Sequence, residues 1–198
     1  MLKIGELRRL KSKSAQLLSL LVVCFIMNSC IQVDEDPYNR CPSPKPANAV
    51  GIKQVFFSPY KNQRYAAASD TVSISDFRYN FELDLSLIEN TNLTESSLAY
   101  PLVCEETFRI ENISNIMVIL RAPFAGLTVG TDISYALTTP DGKNIAQLKT
   151  FDQVSVYFGS KLTLKPTTIS QLKSRIFVFF KDGSRAFLDA DSPYLTPN

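Results

Sequence analysis

The chain has 198 residues, of which 45% are hydrophobic, with no histidine, no tryptophan and a formal net charge of +2. Without imidazole, the usual general base near neutral pH, Ser-His-Asp and Cys-His nucleophilic mechanisms, histidine-ligated zinc and the metalloprotease helix are excluded. Positions 1–29 hold five of the 21 basic residues and one of the 19 acids, which leaves 16 against 18 in the remainder and no cationic cluster of the kind nucleic-acid binding needs.

The opening segment has three parts. Lys3, Arg8, Arg9, Lys11 and Lys13 precede an apolar run from about Ala15 to Met27, and Asn28 and Ser29 follow, which is the layout of a secretory signal peptide. Crossing a hydrocarbon core takes ~20 apolar residues, more than this run of roughly 13 supplies. The ending Leu17–Cys30 (LLSLLVVCFIMNSC) resembles the lipobox of bacterial lipoproteins, with Met27 where leucine is usual. That resemblance implies cleavage after Ser29 and acylation of Cys30. Asp34-Glu35-Asp36 is similar to the short acidic signal that sends many Bacteroidota lipoproteins to the outer face of the outer membrane. The first forty residues thus resemble those of small Bacteroidota lipoproteins of unknown function with a β-sandwich domain. The resemblance implies a lipid-anchored outer-membrane protein exposed at the cell surface, with a periplasm-facing placement as the alternative. Several acyl chains on one cysteine make a stable anchor, since each buried CH2 contributes ~0.8 kcal/mol.

From Ile31 to about Asn48 the chain is polar and carries Pro37, Pro42, Pro44 and Pro46, so an extended tether is expected. The chain then divides into a leader (1–29), an acylated cysteine with its tether (30–48) and a domain (49–198). Of the four cysteines, Cys24 lies in the leader and Cys30 is the lipid acceptor, which leaves Cys41 and Cys104 in an exported protein. A disulfide between them is expected, with two unpaired thiols as the alternative. Closing a loop of about 64 residues stabilises by ~4 kcal/mol in the chain-entropy model.

Beyond the tether the hydrophobic period is mostly two. In the clearest case Phe77, Tyr79, Phe81, Leu83, Leu85 and Leu87 alternate with polar residues, which predicts one buried and one wet face. Val72 and Ile74 alternate in the opposite phase, so a bulge or turn near Ser75-Asp76 must intervene. Further strands are expected at 52–58, 106–110, 116–121, 133–139, 145–149, 154–158, 161–165, 176–180 and 185–189. Two of them, Ile116 to Leu120 and Ile176 to Phe180, are apolar throughout and read as central strands covered on both sides. Asp141-Gly142 and Asp182-Gly183 are placed as turns between strands, and Thr167 to Lys173 as a helical turn with Ile169 and Leu172 on one side. Nine or ten short strands predict an all-β fold, an antiparallel β-sandwich of immunoglobulin-like kind. A closed barrel around a ligand is the alternative.

No cofactor motif, catalytic set or metal-ligand spacing is present. Asp189 and Asp191 form the nearest approach to paired carboxylates, though a solvated or turn-capping role is the plainer reading. The stretch Phe56 to Tyr65 mixes aromatic, amide and basic side chains, and since Phe56 and Phe57 cannot face one core, one of them with Tyr60 and Tyr65 is a candidate binding surface; packing over a sheet edge is the bland alternative. Asp70-Thr71-Val72 resembles the Bacteroidota acceptor for O-linked glycans, which implies Thr71 as the modified residue. Asn92-Leu93-Thr94 and Asn112-Ile113-Ser114 match the N-glycosylation triplet, which a bacterial lipoprotein does not use in most cases. The expected function is a non-enzymatic envelope module, held at the membrane through its N-terminal acyl chains, for adhesion, glycan contact or support of an envelope protein complex. The rival classes are a barrel-like carrier of a small apolar ligand and a hydrolase working with carboxylates alone.

Overall fold

In a computed structural model of the protein, residues 41, 43–88 and 104–197 are described; the leader, Cys30, Asp34-Glu35-Asp36 and Asn92 lie outside them. The longest element, β1 (Lys45–Lys61), has 17 residues and three neighbours. It runs antiparallel to β4 (Arg78–Leu87) for most of its length, starts parallel to β5 (Phe108–Ile110), and ends in a hairpin with β2 (Arg64–Ala66). β4 also pairs with β8 (Tyr157–Leu162), and β8 with β7 (Leu137–Thr138). This first sheet has the order β2-β1-β4-β8-β7, with β5 paired to the start of β1 on the flank away from β4. The second sheet has the order β3 (Thr71–Ser73), β10 (Arg185–Thr196), β9 (Ser170–Phe180) and β6 (Ile113–Leu120). The architecture is all-β and sandwich-like. The sheets are mixed, because β1 with β5 and β3 with β10 run parallel.

One apolar cluster joins the two sheets. Phe77 and the inward residues of β4, Tyr79, Phe81 and Leu83, belong to the same core as Ile116, Val118 and Leu120 of β6 and Leu172, Ile176 and Val178 of β9. Aromatic rings fill much of it, with Phe57 stacked on Phe77 at 5.6 Å and Phe81 on Phe158 at 5.0 Å. A polar link across this core is the 3.2 Å hydrogen bond shared by the Tyr79 and Ser174 hydroxyls. Burial pushes the Tyr79 phenol pKa up, so it stays protonated and able to donate.

β1 stays on the core by interrupting its own alternation. Ala47, Ala49, Ile52, Val55 and Phe57 all pack inward, and the two three-residue steps coincide with register shifts at Ala49/Gly51 and Ile52/Gln54. These are β-bulges, which bend a strand and restore the phase of its buried face. Asn112 braces the first one: its Nδ2 donates to the Ala49 carbonyl at 2.7 Å and its Oδ1 accepts from the Ala49 N–H at 2.8 Å. The Asn112 triplet is therefore occupied structurally.

The base of β1 is cross-linked. Cys41 and Cys104 form a disulfide with Cα atoms 5.4 Å apart, four residues before the paired Lys45 and Phe108, so the bridge closes the mouth of the parallel β1–β5 pair. Phe108 and Val154 exchange backbone hydrogen bonds of 2.7 and 3.0 Å, and the Leu83 N–H donates to Val156 at 3.0 Å. The first sheet thus curls back at this end, from β5 through the lead-in of β8 to β4.

Several expectations need correction. The strand begins at Lys45, inside the expected tether 30–48, because Pro46 is placed where its missing N–H falls on the side of the β4 terminus while its carbonyl still accepts from Ile88. Thr167 to Lys173 is not helical: Ile169 is 62% exposed and Leu172 is buried, since Ser170 onward is drawn into β9 by pairing with β10. Ile145–Gln147 is a 3-10 turn capped by Asn144 and Gln147, and Ser134–Ala136 is another, so strand is kept only at 137–138 in that region. In place of the expected strands at 154–158 and 161–165 there is one strand, β8, over Tyr157–Leu162. The apolar run in β6 belongs to a sheet edge, and the outward Met117, Ile119, Phe177 and Phe179 are half-buried.

Other expectations are met. The phase change near Ser75-Asp76 is a turn, with the Asp76 and Phe77 N–H groups donating to the Ser73 carbonyl, and it carries the chain from the second sheet to the first. Asp182-Gly183 closes the β9–β10 hairpin with Gly183 at φ 87°. Asp141-Gly142 also forms a tight turn, but it follows the two-residue β7 and leads into the Asn144 turn.

Replacing Tyr79 with Phe removes the inter-sheet hydrogen bond without opening a cavity. Urea unfolding of Tyr79→Phe should show stability reduced by about 1 kcal/mol with an unchanged slope.

Candidate functional site

The far end of β1 from the disulfide carries Tyr60 and, across the hairpin, Tyr65, with Thr71 close by. Lys61 pairs with Arg64 across a two-residue turn whose central residues, Asn62 and Gln63, have φ of 51° and 61°. Positive φ at both positions matches the twist of a tight hairpin; asparagine tolerates it well, and glutamine is an unusual occupant. That departure from Asn-Gly is why this stretch reads as loop from sequence.

The turn projects Tyr60 and Tyr65, which are 59% and 45% exposed. Their rings meet edge-on at 4.9 Å, and Tyr65 continues to Phe56 at 4.4 Å. Phe57 faces the core and Phe56 the outside, which answers the question left by the FF pair. The row extends across the sheet to Tyr157 of β8, 6.1 Å from Phe56, a member that its distance in sequence concealed. Gly159 opposite Asn80 keeps this face open, for a Cβ there would lie 2.9 Å from Asn80 Oδ1.

Beside the rings, a bidentate ion pair ties the hairpin to the lead-in of β3. Arg64 Nη1 donates to Asp70 Oδ2 at 2.5 Å and Nη2 to Oδ1 at 3.0 Å, and the Ala67 N–H donates to Oδ2 at 2.8 Å. The Arg64 hydrogen bonds, followed by that of the Ala67 amide, hold the Asp70 carboxyl at a pKa of about 2. Between the hairpin and β3 lies a cleft of about 300 Å3 lined by Tyr65, Arg64, Asp70, Thr71, Ser73 and Asp76, among others. Thr71 is exposed at this cleft. The structure therefore gathers the tyrosine surface and the candidate acceptor threonine at one place, where the edge strands of the two sheets approach.

Asp189 and Asp191 are elsewhere, on the outward face of the second sheet. Arg175 grips Asp189 through bonds of 2.5 and 2.9 Å, while Arg121 lies 3.3 Å from both Asp189 and Asp191. The Arg175 hydrogen bonds lower the Asp189 pKa, with the Arg121 charge acting in the same direction. A general acid needs the opposite shift. Arg175 also lies 4.7 Å from the Phe187 ring centroid, so these charges cap an aromatic face.

Alternation places Glu82 on the wet side, yet it is 4% exposed. Burial acts to raise its pKa, but hydrogen bonds from Lys53 Nζ at 2.8 Å and Gln54 Nε2 at 2.6 Å outweigh it, and the carboxyl is lowered. Sequence reasoning missed this residue because its partners sit on the neighbouring strand. Among the described residues no cluster of His, Cys, Asp or Glu is arranged to hold a metal, and no helix is long and apolar enough to cross a membrane. No family model, curated protein or solved structure matches the chain.

Because folding lowers the Asp70 pKa, its pairing contributes stability above the ordinary carboxylate range near 4 and loses it as pH falls toward 2. NMR titration should place the Asp70 carboxyl midpoint near pH 2 in the native protein and higher in Arg64→Ala, still below the ordinary range because the hydrogen bond from the Ala67 amide remains.

Proposed function

We propose that the protein is a lipid-anchored, non-enzymatic binding module of the bacterial envelope, acylated at Cys30 and built on an immunoglobulin-like sandwich. The observation that carries this reading is the separation of the two ends of β1. Its base is bridged by Cys41 and Cys104, eleven residues after the proposed lipid acceptor, and its tip presents Tyr60, Tyr65 and the Arg64–Asp70 cleft. A strand of 17 residues spans roughly 50 Å when extended, so the base suits attachment and the tip suits contact. Exposed amphipathic tyrosines held by a rigid hairpin supply contact area at low conformational-entropy cost.

The immunoglobulin-like likeness is one of architecture: two sheets over one core, with connections gathered at the ends. The parallel pairs and a disulfide inside one sheet are departures from the antibody pattern. The rival readings draw less support. A carrier needs a large enclosed apolar cavity, whereas stacked rings occupy much of the space between these sheets. A carboxylate hydrolase needs an acid with a raised pKa, and Asp189 is paired and lowered. Outer-membrane surface exposure remains the preferred location, with the periplasmic face as the alternative.

Metabolic labelling with an alkyne fatty acid, followed by membrane fractionation, tests the anchor. The Cys30→Ser chain should lose the label, retain its leader and change fractionation; indifference to the substitution overturns the reading. If Thr71 is glycosylated, intact mass of native protein should exceed that of Thr71→Ala by more than the residue difference, in sugar-sized increments.

A further inference from the structure

We infer that the cleft between the β1–β2 hairpin and β3 binds a neutral glycan, one sugar unit seated against Tyr65 beside the Arg64–Asp70 pair and the chain continuing over Tyr60 and Phe56. This rests on the binding-module reading and names its ligand class. Three observations converge on it. The cleft, about 300 Å3, accommodates one or two sugar rings and lies open to solvent beside the aromatic row, as a site for part of a longer chain requires. Its rings are contiguous, with centroids 4.9 Å apart from Tyr60 to Tyr65 and 4.4 Å from Tyr65 to Phe56, and tilted to one another by 68° and 48°. Successive rings turned in this way offer faces to successive units of a twisting polymer, whose C–H surfaces are the apolar part of an otherwise hydroxylated molecule.

The third observation concerns charge. The lining cations Lys61 and Arg64 are balanced by Asp70 and Asp76, so the cleft offers no net charge to select an acidic or basic ligand. It offers paired hydrogen-bonding groups. Arg64 and Asp70 present a donor and an acceptor fixed side by side by their bidentate contact, the geometry that two adjacent sugar hydroxyls match, each able to donate and accept. The low pKa keeps Asp70 ionised, hence an acceptor, throughout the neutral range. Asn62, Thr71 and Ser73 add amide and hydroxyl groups to the same wall.

The test uses the full-length chain in detergent, with Thr71 verified as unmodified by intact mass. The chain has eight tyrosines and no tryptophan, so tyrosine emission carries the signal of Tyr60 and Tyr65, which Tyr65→Ala isolates by difference. The probes are cellohexaose, maltohexaose and mannohexaose for external polysaccharide, chitohexaose for cell-wall-type acetamido sugars, and a heparin hexasaccharide for acidic chains. At least one neutral hexasaccharide should give a saturable change; Tyr65→Ala and Asp70→Asn should each weaken it roughly tenfold or more. Phe187→Ala, on the opposite sheet, should leave it unchanged. Absence of binding to every neutral probe, preference for heparin, or equal affinity in Tyr65→Ala overturns the proposal. Because the assay is independent of acylation, its failure would remove the ligand class and leave the anchor reading to the Cys30→Ser test.

Discussion

β1 has to satisfy three neighbours at once, and the rest of the structure follows from how it does so. A flat strand of 17 residues would carry half its side chains away from the core for its whole length. Two bulges reset its phase, so Ala47, Ala49, Ile52, Val55 and Phe57 all reach the same apolar cluster despite uneven spacing. β5 ends at Ile110, so on that flank the Ala49 N–H and C=O have no ladder partner, which is costly when they are sheltered from water. The Asn112 amide supplies both the donor and the acceptor that Ala49 needs. In this way a side chain just before β6 of the second sheet helps set the register of the first.

The same strand separates the molecule into ends of different character. At its base the Cys41–Cys104 bridge, the parallel pair with β5 and the hydrogen bonds between Phe108 and Val154 bind several segments together. At its tip a two-residue turn and one bidentate ion pair hold a small, exposed group of rings and charges. The cleft there depends on both sheets, since β2 edges one and β3 the other. Its shape is consequently a product of sheet packing, with Arg64–Asp70 as the local fastener.

Several charged groups among the described residues are consumed by structure. Glu82 is held ionised by Lys53 and Gln54, and Asp189 by Arg175 and Arg121. The buried Ser192 hydroxyl is likewise matched: it accepts from the Leu172 N–H and donates to the Pro193 carbonyl at the β10 bulge, which is where a proline is tolerated within a strand. The exposed tip differs because its pairing is balanced and its rings remain uncovered, and this contrast distinguishes it from the charged, ring-capped face of the second sheet.

From sequence alone the all-β character was legible, since the alternation from Phe77 to Leu83 is local and period two has no other comfortable conformation. The opposing phase at Val72 and Ile74 likewise announced a turn, and Asp182-Gly183 announced a hairpin, because turn chemistry acts over a few residues. The exclusion of imidazole chemistry needed only the composition. Where pairing partners are distant, local reading failed: Thr167 to Lys173 has helical spacing but is claimed by β10, the two short candidates around residue 160 form one strand against β4, and Glu82 is buried by its neighbours on β1. The meeting of Tyr157 with Phe56, and of Thr71 with Tyr65 in one cleft, likewise arises only when the sheets assemble. Side-chain period and turn residues are properties of a short stretch of chain. Register, edge position and the joining of two sheet edges are decided by burial and hydrogen bonding between segments far apart, and those belong to the tertiary structure.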